Sequence, residues 1–344
     1  MAMHLFELTR RLVDIESITP NEKQVGEFLL GYLEELARGT GGTVERMDVS
    51  DDPVRFNIFV SWGNPVVTLS THLDTVPPFI PSREDDEFIH GRGACDVKGI
   101  IAAMITAVRL LLAEKVTNFA LLFVVGEERN SAGALHAAKN PRDSKFLING
   151  EPTENKLALG SKGAYRLTMR AKGRMAHSAY PEYGESAIIK LLNALQRLRG
   201  MEFPTDPILG SSTTNIGTIK GGRAPNVIPD EAEAEIFVRL VDDGAAVRRA
   251  VIDAMRFQVE IEEVLCIPAV HLEKLPGFKT TVVSYTTDIP AFGGAWGKPY
   301  LIGPGSILVA HTRDERIPKK ELIEAPELYA KLVRQLLASG ETGA

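Results

Sequence analysis

The chain has 344 residues, 44% hydrophobic and 24% charged, with a formal net charge of -6 and no Lys/Arg cluster to offset it, which excludes a phosphate-tracking surface. No apolar run reaches the ~18 residues that span a bilayer, and the first ten residues lack the features of a secretory leader, so neither nucleic acid nor membrane is an expected partner and a cytoplasmic location is expected. Cys95 and Cys266 form no C-x-x-C spacing, so any metal must be held by His, Asp and Glu.

Leu5, Leu8, Leu12 and Ile15 lie on one face of a predicted helix, which Pro20 separates from a second helix over 22–37. Strands are predicted over 54–60 and 66–71, a strongly apolar helix over 99–115, and further strands over 119–125 and 146–148. Short apolar strands alternating with helices are an α/β signature. From about residue 163 the texture changes. A half-exposed strand over 164–171 is followed by a helix over 185–198, strands over 213–219 and 232–240, a helix over 245–257 and a strand over 264–270. That order reads β-α-β-β-α-β and describes a self-contained α+β insert. The strand and helix pattern of the first part then resumes and ends in a helix over 326–338.

Chemistry-bearing residues recur at the ends of the apolar strands. His72 and Asp74 follow the 66–71 strand, and Asp96 closes Gly91-Arg92-Gly93-Ala94-Cys95-Asp96 ahead of a helix. Glu127 and Glu128 follow the buried run 119–125, Glu151 follows 146–150, and His311 comes late, after Gly303-Pro304-Gly305-Ser306. Two adjacent carboxylates at the end of a buried strand call for a cation, because open α/β sheets build their binding crevices at strand carboxyl ends. Each feature alone is weak: a His-x-Asp is more often a loop hydrogen bond, and Glu-Glu also suits a helix start. Together, imidazole and carboxylate suit zinc or a similar divalent ion.

In Ser70-Thr71-His72-Leu73-Asp74-Thr75-Val76-Pro77, the segment from Gly91 to Gly99, Gly126-Glu127-Glu128, Gly150-Glu151-Pro152-Thr153, Ala176-His177-Ser178 and Ala310-His311, the sequence resembles the two-zinc amidohydrolases. That family includes acetylornithine deacetylase, succinyl-diaminopimelate desuccinylase, aminoacylase and the glutamate carboxypeptidases. The resemblance implies an α/β zinc-peptidase-like catalytic domain, a central mixed sheet flanked by helices, over 1–162 and 275–344, with an inserted α+β lid and dimerisation domain over 163–274. It also implies two divalent metals, zinc first and cobalt second. Asp96 would bridge them, with His72 and Glu151 completing one site and Glu128 and His311 the other. Glu127 would be the general base, and Asp74 would accept the second N–H of the His72 ring.

In the lid, the resemblance assigns His177 to the oxyanion, acting in trans within a homodimer, and Asn226 and Arg239 to the substrate. Gly150-Glu151-Pro152-Thr153, Gly303-Pro304-Gly305-Ser306 and Thr286-Thr287-Asp288 match the deacetylase and desuccinylase branch, which implies an N-acyl amino acid substrate, acetylornithine foremost, and a place in arginine or lysine biosynthesis. Lysine or ornithine linked to an amino-group carrier protein, succinyl-diaminopimelate and a dipeptide are the alternatives. A non-catalytic binding relative is the reading from another class; the presence of every expected ligand and the base weighs against it.

Overall fold

The computed structural model describes residues 3–51, 53–255 and 258–341. The chain divides into two compact units: one runs to Ala158 and takes up Leu272–Thr281 and the residues from Thr287 onward, and the other comprises Leu159–His271 with Val282–Thr286. The last segment falls outside the 163–274 span read from the sequence. Among the described residues, no helix is long and apolar enough to cross a membrane.

The first unit is built on a six-stranded sheet. Its strands are β1 (Thr43–Asp51), β2 (Val54–Trp62), β3 (Val67–His72), β4 (Phe119–Val124), β5 (Phe146–Asn149) and a late strand, Lys298–Leu301. The spatial order is β1, β2, β4, β3, β5 and the late strand. β1 pairs antiparallel with β2, and β2 antiparallel with β4. β4, β3, β5 and the late strand are mutually parallel. Every residue of β3 and β4 is buried, as expected for strands covered on both faces. The register sets His72 opposite Val124 and Ser70 opposite Asn149. The loops leaving β3, β4 and β5 therefore emerge at one edge of the sheet.

Helix Gly99–Ala113 is apolar almost all round and buries Ile100, Ile101, Met104, Ile105, Val108 and Leu111. Each such large side chain contributes about 1.5–3 kcal/mol of burial. It packs against the closing helix Lys319–Glu341, which begins well before the expected residue 326 and carries Pro326 inside it. Proline removes a helix hydrogen bond. Here the buried stripe of Leu322, Ala325, Tyr329, Leu332, Val333 and Leu336 carries the helix across it.

The second unit is a four-stranded antiparallel sheet of β6 (Gly163–Lys172), β7 (Thr213–Gly221), β8 (Glu231–Leu240) and β9 (Glu260–Ile267), in the spatial order β7, β8, β6, β9. β8 alternates cleanly, burying Ala232, Ala234, Ile236, Val238 and Leu240 against helices Ala187–Arg199 and Ala245–Met255. The last two residues of the helix expected over 245–257 lie outside the described residues. β6 is more buried than a half-exposed strand, because β8 and β9 pair with it on both sides. β9 starts before the expected residue 264.

Candidate metal centre

His72 ends β3 as a buried residue. Its Nε2 lies 3.2 Å from Oδ1 of Asp96, which sits in the irregular turn Ala94–Lys98 ahead of helix Gly99–Ala113. The tightness of that turn explains Gly99, where a Cβ would stand 2.6 Å from the carbonyl oxygen of Ala94. The other oxygen of Asp96 lies 3.2 Å from Nε2 of His311, and that same nitrogen lies 3.1 Å from the carboxylate of Glu128. His311 has a φ of 62°, in the left-handed region, which costs a non-glycine residue of order 1–3 kcal/mol and is found where function fixes a side chain.

Glu151 follows β5 with its Oε1 buried and without a hydrogen-bond partner. The ligand atoms form two groups, His72 with Asp96 and Glu151, and Asp96 with Glu128 and His311, each with all its ligand atoms within 4.8 Å of one another. An orphaned, buried carboxylate oxygen in such company is costly unless a cation meets it. The donor set, imidazole nitrogen and carboxylate oxygen around a shared Asp96, fits a pair of divalent ions. Glu127 belongs to neither group.

Asp74 does more than the sequence implied. The nearest partner of His72 Nδ1 is the backbone carbonyl of Asp74 at 3.0 Å, with the carboxylate Oδ1 farther away at 3.5 Å. The carboxylate is occupied elsewhere. It accepts the backbone N–H groups of Gly126 at 2.9 Å and of Glu127 and Glu128 at 3.1 Å, together with the Thr19 hydroxyl at 2.6 Å. Asp74 thus holds the loop that presents Glu127 and Glu128. Buried Asn57 on β2 holds the same loop from below, accepting from Val125 N–H at 3.2 Å and donating to the carbonyl of Gly133 at 2.9 Å. Gly126 has a φ of 85°, and a Cβ there would lie 2.5 Å from the guanidinium of Arg55.

Sequence reasoning missed Thr19 and Asn57, and quoted Asp288 only within Thr286-Thr287-Asp288 without giving it a role. Burial, partly offset by the Ser131 hydroxyl and His72, pushes the Asp288 carboxyl up to about 7. Its position beside Thr287 in a segment already singled out was the available signal.

The charges explain how the cluster behaves without cations. Burial opposes a charge on His72, but Asp74, Asp96 and Glu151 outweigh it and hold its pKa well above the usual histidine range. Asp96 and Glu128 raise His311 to about 10. Burial raises Glu127, Glu128 and Glu151, and neighbouring carboxylates raise them further. Groups with raised pKa values contribute stability that is present below their unfolded values and lost as pH rises through their folded ones. Metal-free protein should therefore lose melting temperature as pH rises from about 6.5, the ordinary histidine value, toward the value of about 10 reached by His311, whereas metal-loaded protein should not. Metal must also displace these protons, so its affinity should rise over the same interval with measurable proton release. Calorimetry in buffers of different ionisation enthalpy checks this; proton-neutral binding at pH 6.5 would contradict it.

In the second unit, His177 and Asn226 are neighbours: Ala176 and His177 pair with Ile228 and Val227, and Ser178 donates to the carbonyl of Asn226 at 3.0 Å. Both residues are exposed. Nδ1 of His177 accepts the backbone N–H of Ala179 at 3.1 Å, which leaves the ring proton of the neutral form on Nε2. Arg239 lies apart from them on β8, opposite Thr213 of β7. Its guanidinium lies 4.6 Å over the Phe237 ring, and Nη1 is buried without a partner.

Two imidazole–carboxylate groups sharing one carboxylate, at the strand ends of an α/β sheet, define a dinuclear metal-dependent hydrolase. The chain belongs to Peptidase family M20/M25/M40, whose model matches residues 68–335. It is 42% identical to a Peptidase M20 domain-containing protein of Schizosaccharomyces pombe, over 96% of this chain and 84% of that protein. It is 37% identical to a probable carboxypeptidase of Aspergillus clavatus, over 98% and 90%. Aminopeptidase PepT of Bacillus cereus shares the fold with a TM-score of 0.78 at 20% identity, over 97% of this chain and 98% of that one. YXEP of Bacillus subtilis, a dinuclear metal binding peptidase, does so with a TM-score of 0.68 at 16% identity, over 97% of each chain.

Proposed function

We propose that the chain hydrolyses the amide of an N-acylated amino acid or short peptide whose departing residue carries a free α-carboxylate, with Zn2+ as the first candidate metal and Co2+ the second. The observation that carries this reading is Asp96 shared by two ligand groups with Glu127 beside them but in neither. The metal pair, when bound, supplies Lewis acidity and lowers the pKa of a water molecule. His72, Asp96 and Glu151 would hold one ion, and Asp96, Glu128 and His311 the other. The Glu127 carboxylate takes the proton of the attacking water and returns it to the departing nitrogen. Asp74 keeps Glu127 in place through its backbone N–H.

The Nε2–H of His177 donates to the oxyanion that develops on the carbonyl, and Asn226 assists in holding the substrate. Arg239, with its unpartnered Nη1, takes the α-carboxylate, for which a guanidinium fork is well shaped. The name of the Aspergillus relative, a probable carboxypeptidase, supports a substrate of this kind. Acetylornithine is the first specific candidate, on the strength of residues 150–153 and 303–306. A screen of acetyl-ornithine, acetyl-citrulline, succinyl-diaminopimelate, carrier-linked lysine and C-terminally free and amidated dipeptides, with zinc or cobalt added, tests the reading. Equal turnover of free and amidated dipeptides would remove the carboxylate requirement.

His177 serves the active site of a second copy in a homodimer. Mixing His177→Ala with a Glu127→Gln chain should then restore up to about a quarter of wild-type activity, since one of the two sites in a mixed dimer regains both residues. Absence of complementation in a verified mixed dimer would place His177 in cis.

A further inference from the structure

Glu315 follows His311 by four residues and has a fully buried side chain. Its Oε1 accepts three backbone N–H groups, those of Gly93 at 2.8 Å, Cys95 at 3.3 Å and Asp96 at 3.2 Å. Oε2 accepts from Nη1 of Arg92, and the backbone carbonyl of Glu315 accepts the N–H of Gly91 at 3.0 Å. The loop that carries Asp96 is thus wrapped around one carboxylate. On the far side, Arg316–Pro318 pairs antiparallel with Phe88–His90 and anchors Glu315 to the strand that leads into this loop.

A bland alternative is that Glu315 serves only as the counter-ion of buried Arg92. A counter-ion alone would spend both oxygens on the guanidinium in a bidentate pair. Here one oxygen is given wholly to the loop, including the amide of Asp96 itself. Asp74 holds the Glu127 and Glu128 loop in the same way, through three backbone N–H groups.

We propose that Glu315 is a positioning residue for the metal centre: it fixes the Asp96 loop against the His311 segment, so that the shared carboxylate presents one oxygen to each ligand group. The inference rests on the reading of Asp96 as the shared ligand. Glu315→Asp keeps the charge for Arg92 but withdraws the carboxylate from the loop by about 1.5 Å. It should weaken binding of the second equivalent of Co2+ by about 10–100-fold, the range found when groups behind metal ligands are lost, and shift the visible cobalt spectrum. Glu315→Gln keeps an oxygen for the three N–H groups and should retain the wild-type cobalt spectrum, at a lower melting temperature because Arg92 loses its counter-charge.

Native cobalt affinity and spectrum in Glu315→Asp, with only the melting temperature lowered, would reduce Glu315 to a structural ion-pair partner. A Glu315→Gln spectrum shifted like that of Glu315→Asp would also overturn the proposal. In the unmodified chain, the amides of Gly93, Cys95 and Asp96 should exchange slowly with solvent; fast exchange at these positions overturns it without any variant. Binding of two cobalt equivalents by the unmodified chain, and their loss in Asp96→Ala, tests the underlying ligand reading separately.

Discussion

Glu127→Gln should lower kcat by roughly 10²–10⁴-fold, about 3–5 kcal/mol of transition-state stabilisation, while leaving both metals bound and KM within a few-fold. Glutamine keeps the shape and the backbone N–H that Asp74 Oδ1 accepts at 3.1 Å, so the loop has no reason to move. What it loses is the ability to take a proton and give it back. In the metal-free chain, burial lifts the Glu127 pKa, and Glu151, Asp288 and Glu128 lift it further against the opposing pull of His72. Its neighbour Glu128 has a different commitment, since its carboxylate meets Nε2 of His311 at 3.1 Å and belongs to a ligand group. Glu128→Gln should therefore lose metal where Glu127→Gln does not. Turnover within tenfold of wild type for Glu127→Gln, with full metal content, would remove it as the base.

Asp96→Ala should lower activity by about 10³-fold or more and bring metal content below one ion per chain. Each oxygen of Asp96 faces one imidazole at 3.2 Å, so a single truncation strips a ligand from both groups at once. What remains is His72 with Glu151, and Glu128 with His311, each one donor short. The two ions also lose the negative charge that tempers their mutual repulsion. The readout independent of activity is thermal: wild-type protein gains about 4 kcal/mol from an ion at a thousand times its dissociation constant, and Asp96→Ala should gain almost nothing. Retention of two equivalents by the variant would show that Asp96 is not shared.

The parts of the site legible in sequence were those in which residue type announces chemistry. His72, Glu128 and Glu151 each stand at the end of an apolar strand, and the sheet gathers these three because β3, β4 and β5 are parallel, while Asp96 precedes an apolar helix and His311 lies in a late turn. The unread parts work through the backbone. Asp74 and Glu315 each accept three main-chain N–H groups, and nothing in a sequence marks an amide some 220 residues away as a carboxylate's partner. β1 escaped for another reason. Thr43–Asp51 is an edge strand whose only fully buried residue is Met47, so it carries no apolar alternation to read. Pro326 misled because a proline stop is a local rule, whereas the stripe from Leu322 to Leu336 acts over the whole helix.

The order in which the site's residues leave the ribosome has a consequence for when hydrolysis can begin. His72, Asp96, Glu128 and Glu151 are all translated before the second unit, whereas His311 and the Glu315 that braces the Asp96 loop follow it. Domains fold as units during synthesis, the earlier ones first. On the proposed ligand assignment, a nascent chain halted anywhere short of His311 holds at most one complete ligand group, so the second group is completed only after the whole second unit has been made.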